Sequence, residues 1–201
     1  MTTAAGTALL AYLIGSIPAA YLVGRIAGGL DVREAGEGNA GARNVFHEVG
    51  PAWGVAVFAL DFGKGALVAL LFRDDPLWQL GLAGAFLVVG HAYPVWLRFA
   101  GGKGLASAIG FMIALLPLAG LVGFTAAGLA WLITWRFLPT TVAGIVVTIV
   151  SAPITGGAWA RVFLVLGVFL LVAVKRAVDE PRMREVEARS GWNRARGGSR
   201  R

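Results

Sequence analysis

The chain has 201 residues, of which 57% are apolar and 14% are charged, and it carries a net charge of +7. A soluble domain of this length has too small an interior to bury that much apolar surface, so the composition excludes an ordinary soluble fold and favours a membrane protein. The absence of cysteine excludes disulfides, a thiol nucleophile and a thiolate metal site. The basic residues gather at the ends of apolar runs, which indicates anionic lipid headgroups as partners and not nucleic acid.

Three apolar runs in the first half of the chain are each long enough to cross a bilayer, which takes about 20 apolar residues in a helix. They predict transmembrane helices at 4–24, 52–72 and 77–97. The first run has no basic segment before it and stays apolar to Val23, so we interpret it as a span and not as a cleaved signal peptide.

Two longer apolar stretches follow, and each contains helix-breaking residues near its middle. The stretch 104–137 is divided at Pro117 and Gly120, and we predict two short helices that meet there. The stretch 139–174 has a similar break, at Pro153, Gly156 and Gly157. The predicted fold class is therefore all-α: a polytopic helical membrane protein with seven spans, or with five if each long stretch is one tilted or broken helix.

The distribution of Lys and Arg sets the orientation, because basic residues accumulate in cytoplasmic loops. With seven spans and the C-terminus inside, only Arg73 and Arg161 face outward, Lys64 lies within a span, and every other Lys and Arg is cytoplasmic. We therefore predict that the N-terminus lies outside the cell and the C-terminus inside.

This orientation puts two polar, glycine-rich loops, 25–50 and 98–104, in the cytoplasm. The predicted domain organisation is a transmembrane helical domain over 1–177 and a basic cytoplasmic tail over 178–201. We expect the tail to begin as a surface helix and to end in disorder, because it is polar and basic.

The first loop combines glycines with side chains that donate hydrogen bonds. Its glycines are Gly36, Gly38 and Gly41. We expect them to take backbone angles that other residues avoid, so that successive N–H groups converge on an anion. Asn39, Arg43 and Asn44 add side-chain donors. The pattern predicts a phosphate-binding loop, and the alternative is a flexible connection between spans.

The second loop ends in a Gly-Gly-Lys-Gly run, Gly101, Gly102, Lys103 and Gly104, that opens the next helix. Glycine amides, a lysine and a helix N-terminus together form a favourable phosphate site. The run is not a Walker A loop, because glycine and not Ser or Thr follows the lysine and no spaced glycine precedes it. The loop thus indicates phosphate binding without NTP hydrolysis, and the alternative is a lysine that anchors a helix end at the headgroups.

Three ionisable residues lie within predicted spans, where a charge is costly and faces a partner or a polar cavity. Asp61 and Lys64 are spaced to pair on one helical face, and such a pair serves either a functional cavity or packing alone. His91 is a candidate general base, a phosphate donor or a satisfied interfacial residue. No metal-ligand spacing and no nucleophile-elbow motif accompanies these residues, so we predict neither a metal nor another cofactor.

Four segments together resemble one known family, the bacterial acyl-phosphate:glycerol-3-phosphate acyltransferases. The resemblance covers roughly residues 10–120. Its segments are Gly15-Ser16-Ile17-Pro18, Gly38-Asn39-x-Gly41-Ala42-x-Asn44-Val45, Leu60-Asp61-x-x-Lys64-Gly65, and Gly90-His91-x-x-Pro94-Val95 followed by Gly101-Gly102-Lys103-Gly104. One such match is weak evidence, but four in this order and spacing are specific.

The resemblance implies a small enzyme of the bacterial inner membrane, with its active site at the cytoplasmic face and without metal or nucleotide. Such enzymes transfer an acyl group from acyl phosphate to the sn-1 hydroxyl of glycerol 3-phosphate and form lysophosphatidic acid, a phospholipid precursor. Lys103 and His91 are then the candidate catalytic residues. The candidate substrate- and phosphate-binding residues are Gly38, Asn39, Gly41, Arg43, Asn44, Asp61, Lys64, Gly101, Gly102 and Gly104.

The chain also departs from the family. Glu37 stands where the family usually has Ser, His47 where it usually has Arg, and Lys175-Arg176-Ala177-Val178-Asp179 where an Arg-His-x-x-Asn run is expected. Arg43 lies one helical turn before His47, and we predict that it restores the missing charge from the same face. Two alternatives stay open: a homologue that binds lipid or phosphate without turnover, and a small organic-phosphate transporter.

Overall fold

The computed structural model describes residues 3–192, so the end of the predicted tail, 193–201, lies outside the described residues. Within the described range every regular element is helical, which confirms the all-α prediction. The α-helices are α1 (Ala4–Gly15), α2 (Ala19–Gly28), α3 (Ala42–Glu48), α4 (Pro51–Phe72), α5 (Leu77–Ala92), α6 (Leu105–Leu115), α7 (Pro117–Thr134), α8 (Phe137–Ser151) and α9 (Trp159–Ser190). A short 3-10 helix, Val95–Leu97, follows α5.

The first predicted span, 4–24, is not one continuous helix. It divides into α1 and α2 at Pro18, because proline lacks the N–H of a continuing helix and restricts the residue before it. The break presents the carbonyl of Ile17 to α4, where the side chain of Lys64 donates a hydrogen bond to it at 3.1 Å. The two helices together still form a segment, Ala4–Gly28, that is long and apolar enough to cross a membrane.

The breaks predicted in the two long stretches are confirmed. Pro117 takes the first position of α7, where its missing N–H costs little, whereas Gly120 lies inside that helix. The segment 152–158, which holds the other predicted breakers, separates α8 from α9. The segments of sufficient length and hydropathy to cross a membrane are Ala4–Gly28, Pro51–Phe72, Leu77–Leu97 and Pro117–Thr134. The total number of spans and the orientation stay predictions.

The last helix, α9, is a single helix of 32 residues that crosses the predicted boundary between domain and tail and passes Pro181 without ending. Its second half packs on the first loop. Arg182 donates a hydrogen bond to the carbonyl of Gly38 at 2.8 Å, and Ser190 donates one to the carbonyl of Gly36 at 3.0 Å. The helical part of the tail is thus packed on the bundle, while the division of the chain at residue 177 stays a prediction.

Helices α1, α4, α5, α6 and α9 share an apolar core in which Leu80, Leu87 and Phe111 are fully buried. Glycine allows the closest helix contacts: a side chain at Gly65 of α4 would collide with the carbonyl of Ser107 in α6. Helices α7 and α8 pack chiefly against each other at the side of this bundle. The two glycine-rich loops meet at one end of the bundle, which we call the loop end.

Candidate active site

Asn44 holds the first loop in shape. Its buried side-chain amide donates hydrogen bonds to the carbonyls of Val32, Ala35 and Asn39 at 2.6, 3.0 and 3.1 Å. Its side-chain oxygen accepts a hydrogen bond from the backbone N–H of Glu37 at 2.9 Å. The sequence suggests Asn44 as a phosphate donor, but both of its N–H groups are committed to the loop backbone. In this structure Asn44 therefore holds the backbone of the first loop in place.

Two of the three glycines in the first loop take the left-handed conformation that favours glycine. The φ angle is +55° at Gly36 and +65° at Gly38. Gly41 differs, because its φ of −147° is extended backbone that any residue adopts. A Cβ at Gly41 would lie 2.7 Å from the side-chain nitrogen of Asn39, so a larger residue there would displace the Asn39 amide. The expectation of unusual angles is confirmed at the first two positions and wrong at Gly41.

The Gly-Gly-Lys-Gly run lies against α5 and the first loop. The N–H groups of Gly101 and Gly102 donate hydrogen bonds to the carbonyls of Ala92 and His91 at 3.1 and 3.2 Å. These amides therefore tie the loop to α5, and they are not turned toward an anion as the sequence suggested. A side chain at Gly102 would collide with the carbonyl of Ala40, so glycine at this position lets the two loops pack together.

Helix α6 begins after Lys103 and Gly104, as predicted. Gly104 precedes the helix in the left-handed conformation, with φ at +83°. The first-turn N–H groups at Leu105 and Ala106 have no acceptor within the helix. Lys103 and these two residues all line one cavity, so a helix N-terminus with its partial positive charge faces the space beside the lysine. This arrangement suits an anion.

A cavity of about 360 Å³ lies between α4, α6, α7 and α8 and reaches the loop end. Its interior is apolar, with side chains such as Phe58, Ile109 and Ile113. The cavity also has a set of ionisable and amide side chains, which we call the polar wall: Glu37, Asn39, Arg43, Asp61, His91, Lys103 and Arg176. The hydroxyl residues Thr140, Thr141 and Thr148 line the cavity from α8. The cavity therefore brings together residues from both loops, the second predicted span, the third and the last helix.

Glu37 is buried in the polar wall and pairs with Arg43, whose Nη1 lies 3.0 Å from Glu37 Oε1. Its charge is thus compensated, and it does not stand in the wall as an unpaired carboxylate. Burial lowers the pKa of Lys103, the charge of Glu37 opposes this shift, and those of Arg176 and Arg43 add to it. The charge of Asp179 also opposes the shift, so Lys103 lies among two other cations and two carboxylates.

Comparison with known proteins identifies the family. A family model described as glycerol-3-phosphate acyltransferase matches residues 5–184. The chain belongs to the glycerol-3-phosphate acyltransferase family. Glycerol-3-phosphate acyltransferase 2 of Dehalococcoides mccartyi strain 195 is 38% identical over 193 residues, which cover 94% of this chain and 89% of the relative. Glycerol-3-phosphate acyltransferase 4 of strain CBDB1 is 34% identical over 177 residues, which cover 82% and 74%.

The fold of this acyltransferase is also similar to a solved structure. The crystal structure of PlsY (YgiH), an integral membrane glycerol 3-phosphate acyltransferase, in its glycerol 3-phosphate form matches with a TM-score of 0.77 and 29% identity. The match covers 90% of this chain and 92% of that chain. The family resemblance predicted from four short segments is therefore confirmed.

The acyltransferase differs from the expected Arg-His-x-x-Asn run in the middle of α9. Lys175 and Asp179 form a buried ion pair there, with Nζ and Oδ1 2.7 Å apart, and the ammonium of Lys175 lies 4.5 Å from the ring centre of Tyr93. The next residue, Arg176, lines the cavity. We did not predict Arg176 as a site residue, and the only sequence signal was a basic pair at the end of the last apolar stretch.

The ion pair predicted within the second span is present in α4. Lys64 Nζ lies 2.8 Å from Asp61 Oδ1, and both residues are buried. Asp61 also faces His91, whose Nδ1 lies 3.7 Å from the same oxygen. The pair has contacts that fit each of the two roles that the sequence leaves open. Lys64 donates a hydrogen bond to the carbonyl of Ile17 at the break between α1 and α2, and Asp61 lines the cavity. Which role the pair has stays a prediction.

Proposed function

We propose that this protein is a membrane glycerol-3-phosphate acyltransferase that transfers an acyl group from acyl phosphate to the sn-1 hydroxyl of glycerol 3-phosphate. The product is lysophosphatidic acid. The observation that carries the proposal is that one cavity combines a polar, net cationic wall with an apolar interior. An acyl phosphate matches both parts, and glycerol 3-phosphate matches the cationic part. The positive-inside rule supports an active site at the cytoplasmic face of the bacterial inner membrane.

The chemistry needs positioning more than it needs a strong base. Acyl phosphate is an activated mixed anhydride, so the hydroxyl oxygen of glycerol 3-phosphate attacks the acyl carbonyl carbon and forms the ester bond. The bond from that carbon to the phosphate oxygen breaks, and its electron pair leaves with inorganic phosphate, which accepts the hydroxyl proton. The protein must hold two anions together and orient the hydroxyl.

The residues of the polar wall have the charges and hydrogen-bonding groups to bind the two anions and to orient the hydroxyl. Lys103 and the first turn of α6 hold a substrate phosphate, while Arg43 and Arg176 reduce the repulsion between the two phosphates. Asn39 has a buried side-chain oxygen without a hydrogen-bond partner among residues 3–192, and it accepts a hydrogen bond from the glycerol. His91 lies beside Asp61 at the same wall and orients the attacking hydroxyl.

Arg43→Ala is expected to reduce activity more than His47→Ala. Arg43 lines the cavity and pairs with Glu37, so its loss removes a cation and leaves a buried carboxylate unpaired. The His47 side chain is exposed, with the edge of its ring against Trp192. We expect kcat/KM for glycerol 3-phosphate to fall roughly 100-fold in the first variant and less than about threefold in the second. The reverse order would contradict the role given to Arg43.

The affinity for glycerol 3-phosphate is expected to fall at alkaline pH. Burial lowers the pKa of Lys103, and only its protonated form attracts a phosphate, so binding weakens as the pH rises through this lowered pKa. The charge of Glu37 partly restores the pKa of Lys103, so Glu37→Gln should lower that pKa further. The affinity for glycerol 3-phosphate should then fall at a lower pH than in the wild type. The measurement is KM for glycerol 3-phosphate against pH. Lys103→Arg, which stays charged, should abolish the dependence, and an unchanged profile in that variant would count against the prediction.

The proposed function is tested by phosphate release from palmitoyl phosphate by the detergent-purified protein, with and without glycerol 3-phosphate. We expect release that requires glycerol 3-phosphate and yields lysophosphatidic acid, and no transfer from palmitoyl coenzyme A. Binding of glycerol 3-phosphate without any release would instead identify a non-catalytic homologue. Uptake of glycerol 3-phosphate into sealed vesicles that contain the protein would identify a transporter.

A further inference from the structure

The backbone of the first loop is held by side chains from two helices. From α3, the side-chain amide of Asn44 binds three loop carbonyls, as described above. From α9, side chains bind three other carbonyls of the same loop, those of Arg33, Gly36 and Gly38. The shape of the loop therefore depends on the last helix as well as on the short helix that follows the loop.

The contacts from α9 come from residues one helical turn apart. Arg182 donates hydrogen bonds from Nη1 to the carbonyl of Arg33 at 3.3 Å and from Nη2 to the carbonyl of Gly38 at 2.8 Å. Four residues on, the buried side chain of Val186 packs against Gly38, where an added Cβ would lie 2.8 Å from Val186 Cβ. After four more residues, Ser190 makes the third contact. Residues 182, 186 and 190 thus form one face of the helix, which we call the loop-binding face.

The backbone that this face holds carries two residues of the polar wall. Gly38 lies directly between Glu37 and Asn39. Glu37 pairs with Arg43 at 3.0 Å, and Asn39 has the buried side-chain oxygen that we assign to the glycerol. The carbonyl that Arg182 binds at 2.8 Å belongs to the residue between them, so the positions of both side chains depend on this contact. A misplacement of about 1 Å at a substrate site can lower a rate by about 100-fold, even when the mutated residue lies elsewhere.

We propose that Arg182 is a positioning residue for glycerol 3-phosphate, which holds the first loop in the geometry that binds this substrate. The inference rests on the proposed function and gives the second half of α9 a part in it. Arg182 does not line the cavity, so it acts through the loop and not by touching the substrate. A guanidinium suits this role because its planar group donates to two separate carbonyls at once, which the compact ammonium of lysine does less well.

The test compares Arg182→Met with Arg184→Met in the detergent-purified, full-length protein. Arg182→Met removes both hydrogen bonds to the loop, and KM for glycerol 3-phosphate should rise between about tenfold and 100-fold. Arg184 lies on the same helix, but its side chain is exposed and pairs with Glu180. Arg184→Met removes the same charge and should change KM by less than about threefold. A variant that is merely less stable would lose active enzyme, which lowers kcat and leaves KM unchanged.

Arg182→Lys separates the hydrogen bonds from the charge. It keeps the cation but not the two-carbonyl contact, so its KM should lie between those of the wild type and Arg182→Met. Hydrogen exchange adds a measurement that does not depend on turnover. The backbone amides of 33–39 should exchange faster in Arg182→Met than in the wild type and should be unchanged in Arg184→Met. A wild-type KM in Arg182→Lys would show that charge alone matters and would contradict the positioning role.

If Arg182→Met does not fold, Ser190→Ala decides the matter through the same measurements. It removes only the contact with Gly36 and should raise KM about fivefold, as expected for one neutral hydrogen bond. An unchanged KM in the folded variant, or a fall confined to kcat, would overturn the inference and leave the proposed function intact. If the wild type binds glycerol 3-phosphate but transfers no acyl group, the proposed function fails, and the dissociation constants of the same variants decide the inference. A wild-type protein that does not bind glycerol 3-phosphate would overturn both.

Discussion

Lys103→Ala is expected to lower kcat/KM for glycerol 3-phosphate by roughly 30- to 900-fold, which corresponds to about 2–4 kcal/mol of lost transition-state stabilisation. Lys103 lies in the polar wall of the cavity, directly before the first turn of α6. Its ammonium is the cation best placed to act together with the helix N-terminus on a single phosphate. The loss should therefore appear in KM for glycerol 3-phosphate as well as in kcat.

The control for this prediction is Arg98→Ala, which removes an exposed cation from the same loop. Arg98 does not line the cavity, so its loss should change kcat/KM by less than about threefold, as surface substitutions do. Both variants should elute as folded protein, with the thermal stability of the wild type. Near-normal turnover by Lys103→Ala would remove the lysine from the mechanism.

Lys64→Met is expected to destabilise the protein by about 3–5 kcal/mol, because it leaves the buried carboxylate of Asp61 without its partner. It also removes the hydrogen bond that the ammonium donates to the carbonyl of Ile17 at the break between α1 and α2. Thermal unfolding in detergent measures the effect. The double variant Asp61→Asn/Lys64→Met removes both charges and should recover most of the lost stability.

An exposed ion pair provides the matched comparison for this effect. Arg73 and Asp74 lie 3.4 Å apart at the surface, and Arg73→Met should cost less than about 1 kcal/mol. If Lys64→Met costs no more than Arg73→Met, the buried pair does not stabilise the fold. The activity of the double variant separates the two roles of the pair. Full activity in a stable protein would show that the pair serves packing alone. A large loss of activity in a stable protein would show that Asp61 takes part in the active site.

Most of the helical architecture could be predicted from local sequence signals. Apolar runs of bilayer length, together with Pro117 and the breakers in 152–158, predicted where the later helices end and begin. The pairing of Asp61 with Lys64 followed from their spacing alone. The break at Pro18 was missed because the apolar run continues through it. Hydropathy depends on side-chain polarity and contains no information on the backbone N–H that proline lacks.

The site could be predicted only as a list of groups, because their orientation depends on contacts between distant segments. Asn44 and the amides of Gly101 and Gly102 have the right chemistry for a phosphate, but the structure uses them to hold the loops. The pairing of Glu37 with Arg43 and the position of Arg176 depend on how α3 and α9 pack around the loop end. No local pattern carries that information.

The structure of the protein with glycerol 3-phosphate bound tests the central claim most directly. We predict that the phosphate lies at the polar wall of the cavity, within hydrogen-bonding distance of Lys103 Nζ and in contact with Arg43, with the glycerol hydroxyls toward His91. The apolar interior of the cavity should stay open for the acyl chain. A phosphate bound away from both Lys103 and Arg43, for example at the exposed cluster of Arg25 and Arg33, would contradict the account.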